Sequence, residues 1–424
     1  MNQPHVQSAN IAQSTPLWAV NLVTFLASIG TGMVWNGIAF IAKHDYHFQA
    51  TGTLLLYFVM GITYVVGAIS TGRVLRLIDR WLSPRAALAV ILSSEAVICV
   101  GLYFVKADWM LWMVACAISV LSSWLWPIIE SYLTAGRHGK QMRQAIGWWN
   151  LCWTSAVAVA LVLMMPVMRE QPSTLEWGSL TVRLEPRMAI VVLGALHAVA
   201  LLPLIRFGKR PGAHDESLSA ESMQSEYPDL LRAARMLLPL SYVLNSAMSP
   251  LMPYLLERVH LAQEWETTVA STWMWVRIIA MAVMWRVGFW HGRWGTLLLG
   301  GVAVTAGFGL TVLGISLPLM IAGLAIFGVG MGVVYYAALY YAMAVGRAEV
   351  DAGGTHEALI GLGYTVGPLT GLLGVGATHA AHAQGWPLRD GAAVVTIVWL
   401  LVGLGALGVV KPYRAARMRR LRNS

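Results

Sequence analysis

Charge is what this chain has least of. Asp, Glu, Lys and Arg make up 12% of its 424 residues, whereas soluble domains carry roughly a quarter. With 57% hydrophobic residues and a mean hydropathy of +0.63, an ordinary soluble enzyme is excluded. Cysteine is scarce too: Cys99, Cys116 and Cys152 all fall inside apolar runs, out of reach of an oxidising compartment, so no disulfide is expected. Residues 1–16 hold no Lys or Arg and no apolar stretch, so no cleavable signal peptide is expected. No Gly-x-x-x-x-Gly-Lys-Ser/Thr loop occurs, so the chain is not expected to carry its own ATPase, and His356-Glu357 lacks the second histidine of a His-Glu-x-x-His zinc site. Neither enzymatic activity, nor a cofactor, nor a structural metal is expected.

What is abundant is the charge-free run. Leu17 to Ala42, Trp109 to Ile129, Gln144 to Met168, Met236 to Leu256 and Gly391 to Val410 each reach the roughly 20 residues a helix needs to cross a bilayer. Trp294 to Gly346 is too long for one crossing, and Ser316-Leu317-Pro318 splits it. The pattern predicts an all-α integral membrane protein with twelve spans at 17–42, 52–78, 86–105, 109–135, 144–168, 188–206, 234–256, 267–290, 296–315, 319–345, 356–377 and 391–410. The polar stretch 208–233 divides six-helix halves at 17–207 and 234–410, with tails at 1–16 and 411–424. Weak repetition supports duplication: Tyr132 to Gly136 matches Ala342 to Gly346 at an offset of 210, and Ala145-Ile146-Gly147 matches Leu359-Ile360-Gly361 at 214.

The net charge of +9 sits in short loops, where it orients the chain instead of binding nucleic acid. With both termini cytoplasmic, about 21 of the 29 Lys and Arg lie inside, as the positive-inside rule asks. The tail Lys411, Arg414, Arg417, Arg419, Arg420 and Arg422 suits an anionic inner leaflet. The expected setting is therefore a plasma (inner) membrane, with the lipid bilayer as partner and the chain a monomer. In the largest outer loop, Leu180 to Leu184 alternates like a short strand.

Two motifs sharpen the class. Gly72-Arg73-Val74-Leu75-Arg76-Leu77-Ile78-Asp79-Arg80, followed by Arg85, resembles the loop motif between spans two and three of the major facilitator superfamily, with Asp79 and Arg80 its firmest matches. Gly363-Tyr364-Thr365-Val366-Gly367-Pro368-Leu369-Thr370-Gly371 resembles the glycine-proline motif that many exporters of that family carry in span five; here it sits in span eleven. Span five ends instead in Met164-Met165-Pro166, which leaves import and export open. Read physically, Gly363, Gly367 and Gly371 permit close helix contact and Pro368 bends a helix that must rock.

Ionisable groups at membrane depth are functional candidates by default. Glu130, in a span expected to line the central cavity, is a proton carrier or the partner of a loop arginine such as Arg137. Arg277, in the middle of its span, needs an anion: a substrate carboxylate, Glu130, or a fixed structural partner. Asn36, Asn150, Asn245, Trp126, Trp273, Tyr336 and Tyr340 are further candidates for an aromatic pocket with a few polar groups, Tyr336 and Tyr340 lying in the run with Tyr335 and Tyr341. Glu95 is expected in a peripheral helix. In the resembled family the span-two loop docks on span eleven, which implies a cytoplasmic latch between Arg76, Asp79 or Arg80 and His356 or Glu357; helix capping is the plainer reading of the last two. His44, Asp45 and His47 with His379 and His382 form a weaker candidate for a metal or pH-sensing cluster. Together these imply proton-coupled secondary transport of a small organic solute by alternating access. Uncoupled facilitation, and a transporter-shaped sensor or scaffold, are the alternatives.

Overall fold

Lipid offers no hydrogen-bond partners, so apolar runs of this length must close their backbone bonds internally as helices. The computed structural model describes residues 15–137, 139–171, 174–177, 180–212, 226–345 and 350–423. The first half comprises α1 (Leu17–His44), α2 (Ala50–Ile78), α3 (Pro84–Phe104), α4 (Asp108–Thr134), α5 (Gly139–Leu163) and α6 (Met188–Ala200). The second comprises α7 (Tyr227–Met248), α8 (Met252–Arg258), α9 (Gln263–Arg286), α10 (Trp294–Val312), α11 (Leu317–Val345), α12 (Val350–Ala383) and α13 (Ala392–Asn423).

Among the described residues, eleven helices are long and apolar enough to cross a membrane, against the twelve expected. The shortfall is at 234–256. There a 3-10 turn, Ser249–Leu251, separates α7 from α8, because Pro250 and Pro253 each remove a backbone donor. Asp229, Arg232 and Arg235 also make the start of α7 polar. Among the described residues there is one departure from all-α structure: β1 (Thr174–Trp177) pairs antiparallel with β2 (Leu180–Arg183), Trp177 opposite Leu180. The strand expected near Leu180 thus has a partner.

α1 is not uniform. A π-helical turn at Met33–Gly37 carries Trp35 and Asn36, and such turns re-aim side chains, often at functional sites. The halves meet where α2 crosses α12. At Gly61 an added Cβ would lie 2.4 Å from the Tyr364 carbonyl oxygen, so only glycine lets the two backbones approach this closely. α10 and α11 pack in the same manner: a Cβ on Gly307 would stand 2.3 Å from the Phe327 backbone nitrogen. Gly307→Ala should therefore force the backbones apart and destabilise the protein by about 1–3 kcal/mol, the usual cost of overpacking. Its thermal midpoint in detergent should fall by several degrees, and an unchanged midpoint would contradict the contact.

Candidate functional site

Where the halves face each other, a cavity opens at the depth of the helix centres. α1 contributes Ser28, Trp35 and Asn36, α4 Trp126, α5 Trp149 and Trp153, α7 Tyr242 and Asn245, α9 Trp273 and Arg277, α11 Tyr335, and α12 Glu357 and Tyr364. Six expected residues converge here: Asn36, Trp126, Asn245, Trp273, Arg277 and Glu357.

Arg277 dominates the wall. Its side chain is 1% exposed, yet among the described residues it forms no salt bridge. The guanidinium lies 4.7 Å from the Trp153 ring and 4.7 Å from the Tyr335 ring, with Trp273 at 5.9 Å. It donates to the Tyr242 hydroxyl at 3.5 Å, and its Nε has no partner among the described residues. Burial of an unpaired ion costs several kcal/mol, which cation–π contacts of about 2 kcal/mol each offset only in part. Part of the cation's hydrogen-bonding capacity is therefore unspent.

Opposite in charge stands Glu357, 6% exposed, which accepts a hydrogen bond from the Tyr64 hydroxyl. Its ring neighbours form an aromatic wall: Trp35 stacks on Tyr364 at 4.2 Å, and Tyr64 and Tyr242 meet Tyr364 edge-on at 5.7 Å and 5.3 Å. Glu130 is half-buried and within electrostatic range of Glu357. It is not paired with Arg137, which donates instead to the carbonyls of Tyr132, Leu133 and Thr15.

Several expectations are corrected by placement. Tyr336 and Tyr340 do not reach the cavity; Tyr336 packs 6.0 Å from Trp290, and Tyr340 stacks on His291 at 4.3 Å. One residue along a helix turns the side chain by about 100°, so it is Tyr335 that faces inward. Asn150 is buried behind the wall, accepting from Trp153 Nε1 at 3.0 Å. The latch pairing is replaced: Asp79 holds Arg210 at 2.8 Å, while Glu357 turns into the cavity. Arg76 lines a separate pocket with Asp79 and Pro211, Arg80 is exposed beyond the end of α2, and the side chain of His356 lies outside the described residues. The glycine motif acts by close approach. α12 runs on through Pro368, Gly363 and Gly367 seat it on α7, where Ser246 donates to the Gly363 carbonyl at 2.7 Å, and Gly371 meets Leu54. Trp35, Tyr64, Tyr242 and Tyr364 went unpredicted; the usable signal was Gly61 three residues before Tyr64, and Gly363 beside Tyr364.

Towards the end expected to face outside, the halves are sealed. Lys43 of α1 donates to the Pro253 carbonyl at 2.7 Å and pairs with Glu257 at 2.9 Å; His44 meets Glu266 at 2.7 Å. The Thr53 and Tyr254 hydroxyls lie 2.7 Å apart. Nearby, Asp45 is held by Lys106 at 2.6 Å, and burial, then the Asp45 charge, push the Tyr46 phenol up to about 12. The histidine cluster does not assemble: His382 contacts the Leu388 carbonyl instead, and no group of three potential metal ligands occurs among the described residues.

A sequence profile of the Major Facilitator Superfamily matches residues 20–374. The chain belongs to the major facilitator superfamily. It is accordingly a multi-pass membrane transporter. Solved structures with the same fold include a bacterial homologue of the human lysosomal transporter Spinster, inward-facing and occupied, at 14% identity and a TM-score of 0.65, covering 96% of this chain and 98% of that one. The same homologue, inward-facing and unoccupied, matches at 12% identity and 0.62 over 93% and 94%. The nucleoside transporter NupG matches at 15% identity and 0.60 over 94% and 98%. No curated protein sequence matches.

A structural arginine and a ligand-binding one respond differently to removal. Arg277→Met keeps the volume and deletes the unpaired charge, so the thermal midpoint of this superfamily member should hold or rise. A fall of several degrees would make the guanidinium a structural element.

Proposed function

We propose that this transporter moves a small organic anion or zwitterion, coupled to protons, by alternating access. The observation that carries the reading is Arg277, a cation at membrane depth whose surroundings are aromatic rings and one phenol. A substrate carboxylate would supply the missing counter-charge, and a buried charge-assisted pair is worth far more there than in water. Glu357, with Tyr64 donating to it and Glu130 nearby, is the proton site. A proton arriving with the anion leaves the loaded cavity no more charged than the empty one, which lowers the cost of moving it. The outer seal of Lys43, His44, Glu257 and Glu266 would break for the cavity to open on that side. The chain is taken to have two six-helix halves at 17–207 and 234–410, with Tyr227 to Arg258 as the twelfth crossing. Both termini are placed in the cytoplasm of a cell whose plasma membrane holds a monomer.

A second reading is a neutral heterocycle. The stacked Trp35 and Tyr364 rings suit a flat partner, and NupG, a structural neighbour, is named a nucleoside transporter. A thermal-shift panel of carboxylates, amino acids and nucleosides separates the two. A carboxylate hit is expected, and Arg277→Lys should weaken it at least tenfold, because ammonium cannot replace a fork held between rings. A panel answered by nucleosides alone would overturn the anion.

Coupling is read in proteoliposomes loaded with a pH-sensitive dye. The panel hit should acidify the lumen as it enters, and uptake should rise as outside pH falls. Glu357→Gln should still exchange substrate across the membrane but no longer acidify the lumen. Continued acidification by that variant would remove Glu357 from the proton path.

A further inference from the structure

The two halves repeat one another, and at one seam they differ. In the first half α3 and α6 pack directly. A Cβ on Gly194 would lie 2.9 Å from the Ala96 carbonyl oxygen, and Glu95 and His197, both 0% exposed, face each other at 3.4 Å. Their counterparts by order in the second half are α10 and α13. These meet at Trp399, whose Nε1 donates to the Thr305 carbonyl at 3.2 Å and whose ring lies over Gly309. Between there and Trp294 and Tyr413, whose rings meet, a gap runs along the two helices. The gap is a groove of about 890 Å³ floored by Leu237, Leu240 and Leu244 of α7.

Nothing polar is left in the body of the groove. The Ser241 and Thr305 hydroxyls that border it are spent on the Leu238 and Gly301 carbonyls. Gly295 and Gly403 border it as well, with no atom within 4 Å of where a Cβ would sit. A hollow of this kind at membrane depth takes hydrocarbon, because water would find no partners there. The fifteen-residue run along α13 from Trp399 to Tyr413 spans about 21 Å at helical rise, which matches one leaflet of a bilayer with a hydrocarbon core of about 30 Å plus its interfacial layer.

The end at Trp294 and Tyr413 differs in chemistry. Trp294 Nε1 is buried there without a partner among the described residues, with its ring 5.3 Å from Tyr413. Arg293 precedes Trp294, and Lys411 and Arg414 flank Tyr413; all three cations are exposed. We propose that this groove is a binding site for one anionic phospholipid. One acyl chain lies along α7 between α10 and α13, an ester or phosphate oxygen accepts from Trp294 Nε1, and the headgroup is held by Arg293, Lys411 and Arg414. The site is separate from the cavity around Arg277 and stands or falls independently of the transported solute. Its chain completes in the second half the seam that side chains complete in the first.

The test uses the whole protein, stripped of lipid in detergent and titrated with phosphatidylglycerol or phosphatidylcholine of the same acyl composition. Native mass spectrometry should show one phosphatidylglycerol retained per protein, at least tenfold over phosphatidylcholine, with a rise in thermal midpoint. Gly403→Leu and Ala406→Leu, which fill the groove from one wall, should each lose that retention while remaining monodisperse. Lys411→Gln combined with Arg414→Gln should keep a lipid but lose the preference for phosphatidylglycerol. Brominated acyl chains should quench fluorescence in the unaltered protein more than in Trp294→Phe. Equal retention of both lipids by the unaltered protein, or undiminished retention by both filled variants, would overturn the site.

Discussion

Hydrocarbon solvates neither peptide groups nor charges, and most of this molecule follows from that. The backbone satisfies itself in helices, and side chains that cannot face lipid turn inward. Arg277, Glu357, Glu95 and His197 are all buried in protein, because only the interior offers them rings, hydroxyls or one another. The two pairs resolve the problem differently. Glu95 and His197 face each other within one half, with Ser122 donating to Glu95 at 3.1 Å, whereas Arg277 and Glu357 stand in the wall of the cavity between halves.

That second arrangement depends on how closely the halves approach. Gly61 lets the backbone of α12 come against α2, and this approach carries Glu357 to the Tyr64 hydroxyl and Tyr364 to Trp35. The π-helical turn in α1 adds Trp35 and Asn36 to the same wall. The cavity is thus built from contacts between halves. A movement that opens the outer seal would also alter the surroundings of the charges inside, which is the physical link between proposed access and proposed coupling.

The two halves are not used alike. Closing the α3–α6 seam costs the first half two buried ionisable side chains, while the α10–α13 seam holds an apolar groove with exposed basic residues at one end. Side chains close this seam in the first half, and the proposed lipid would fill it in the second.

The sequence by itself determined the class. Run lengths, the break at Ser316-Leu317-Pro318 and the loop charges depend on local composition, and a helix in lipid obeys composition because it has no alternative. It also pointed to Arg277, since a permanent charge within an apolar run is visible without a fold. Only the tertiary structure decided which neighbours that charge would have. It placed Tyr335 and not Tyr336 at the guanidinium, moved Glu357 from an expected latch to the cavity, and gave Asp79 to Arg210. Which face of a helix meets which partner is fixed by packing between segments far apart in the chain, as for Tyr64 and Glu357, 293 residues apart. Local patterns of composition carry no record of such pairings.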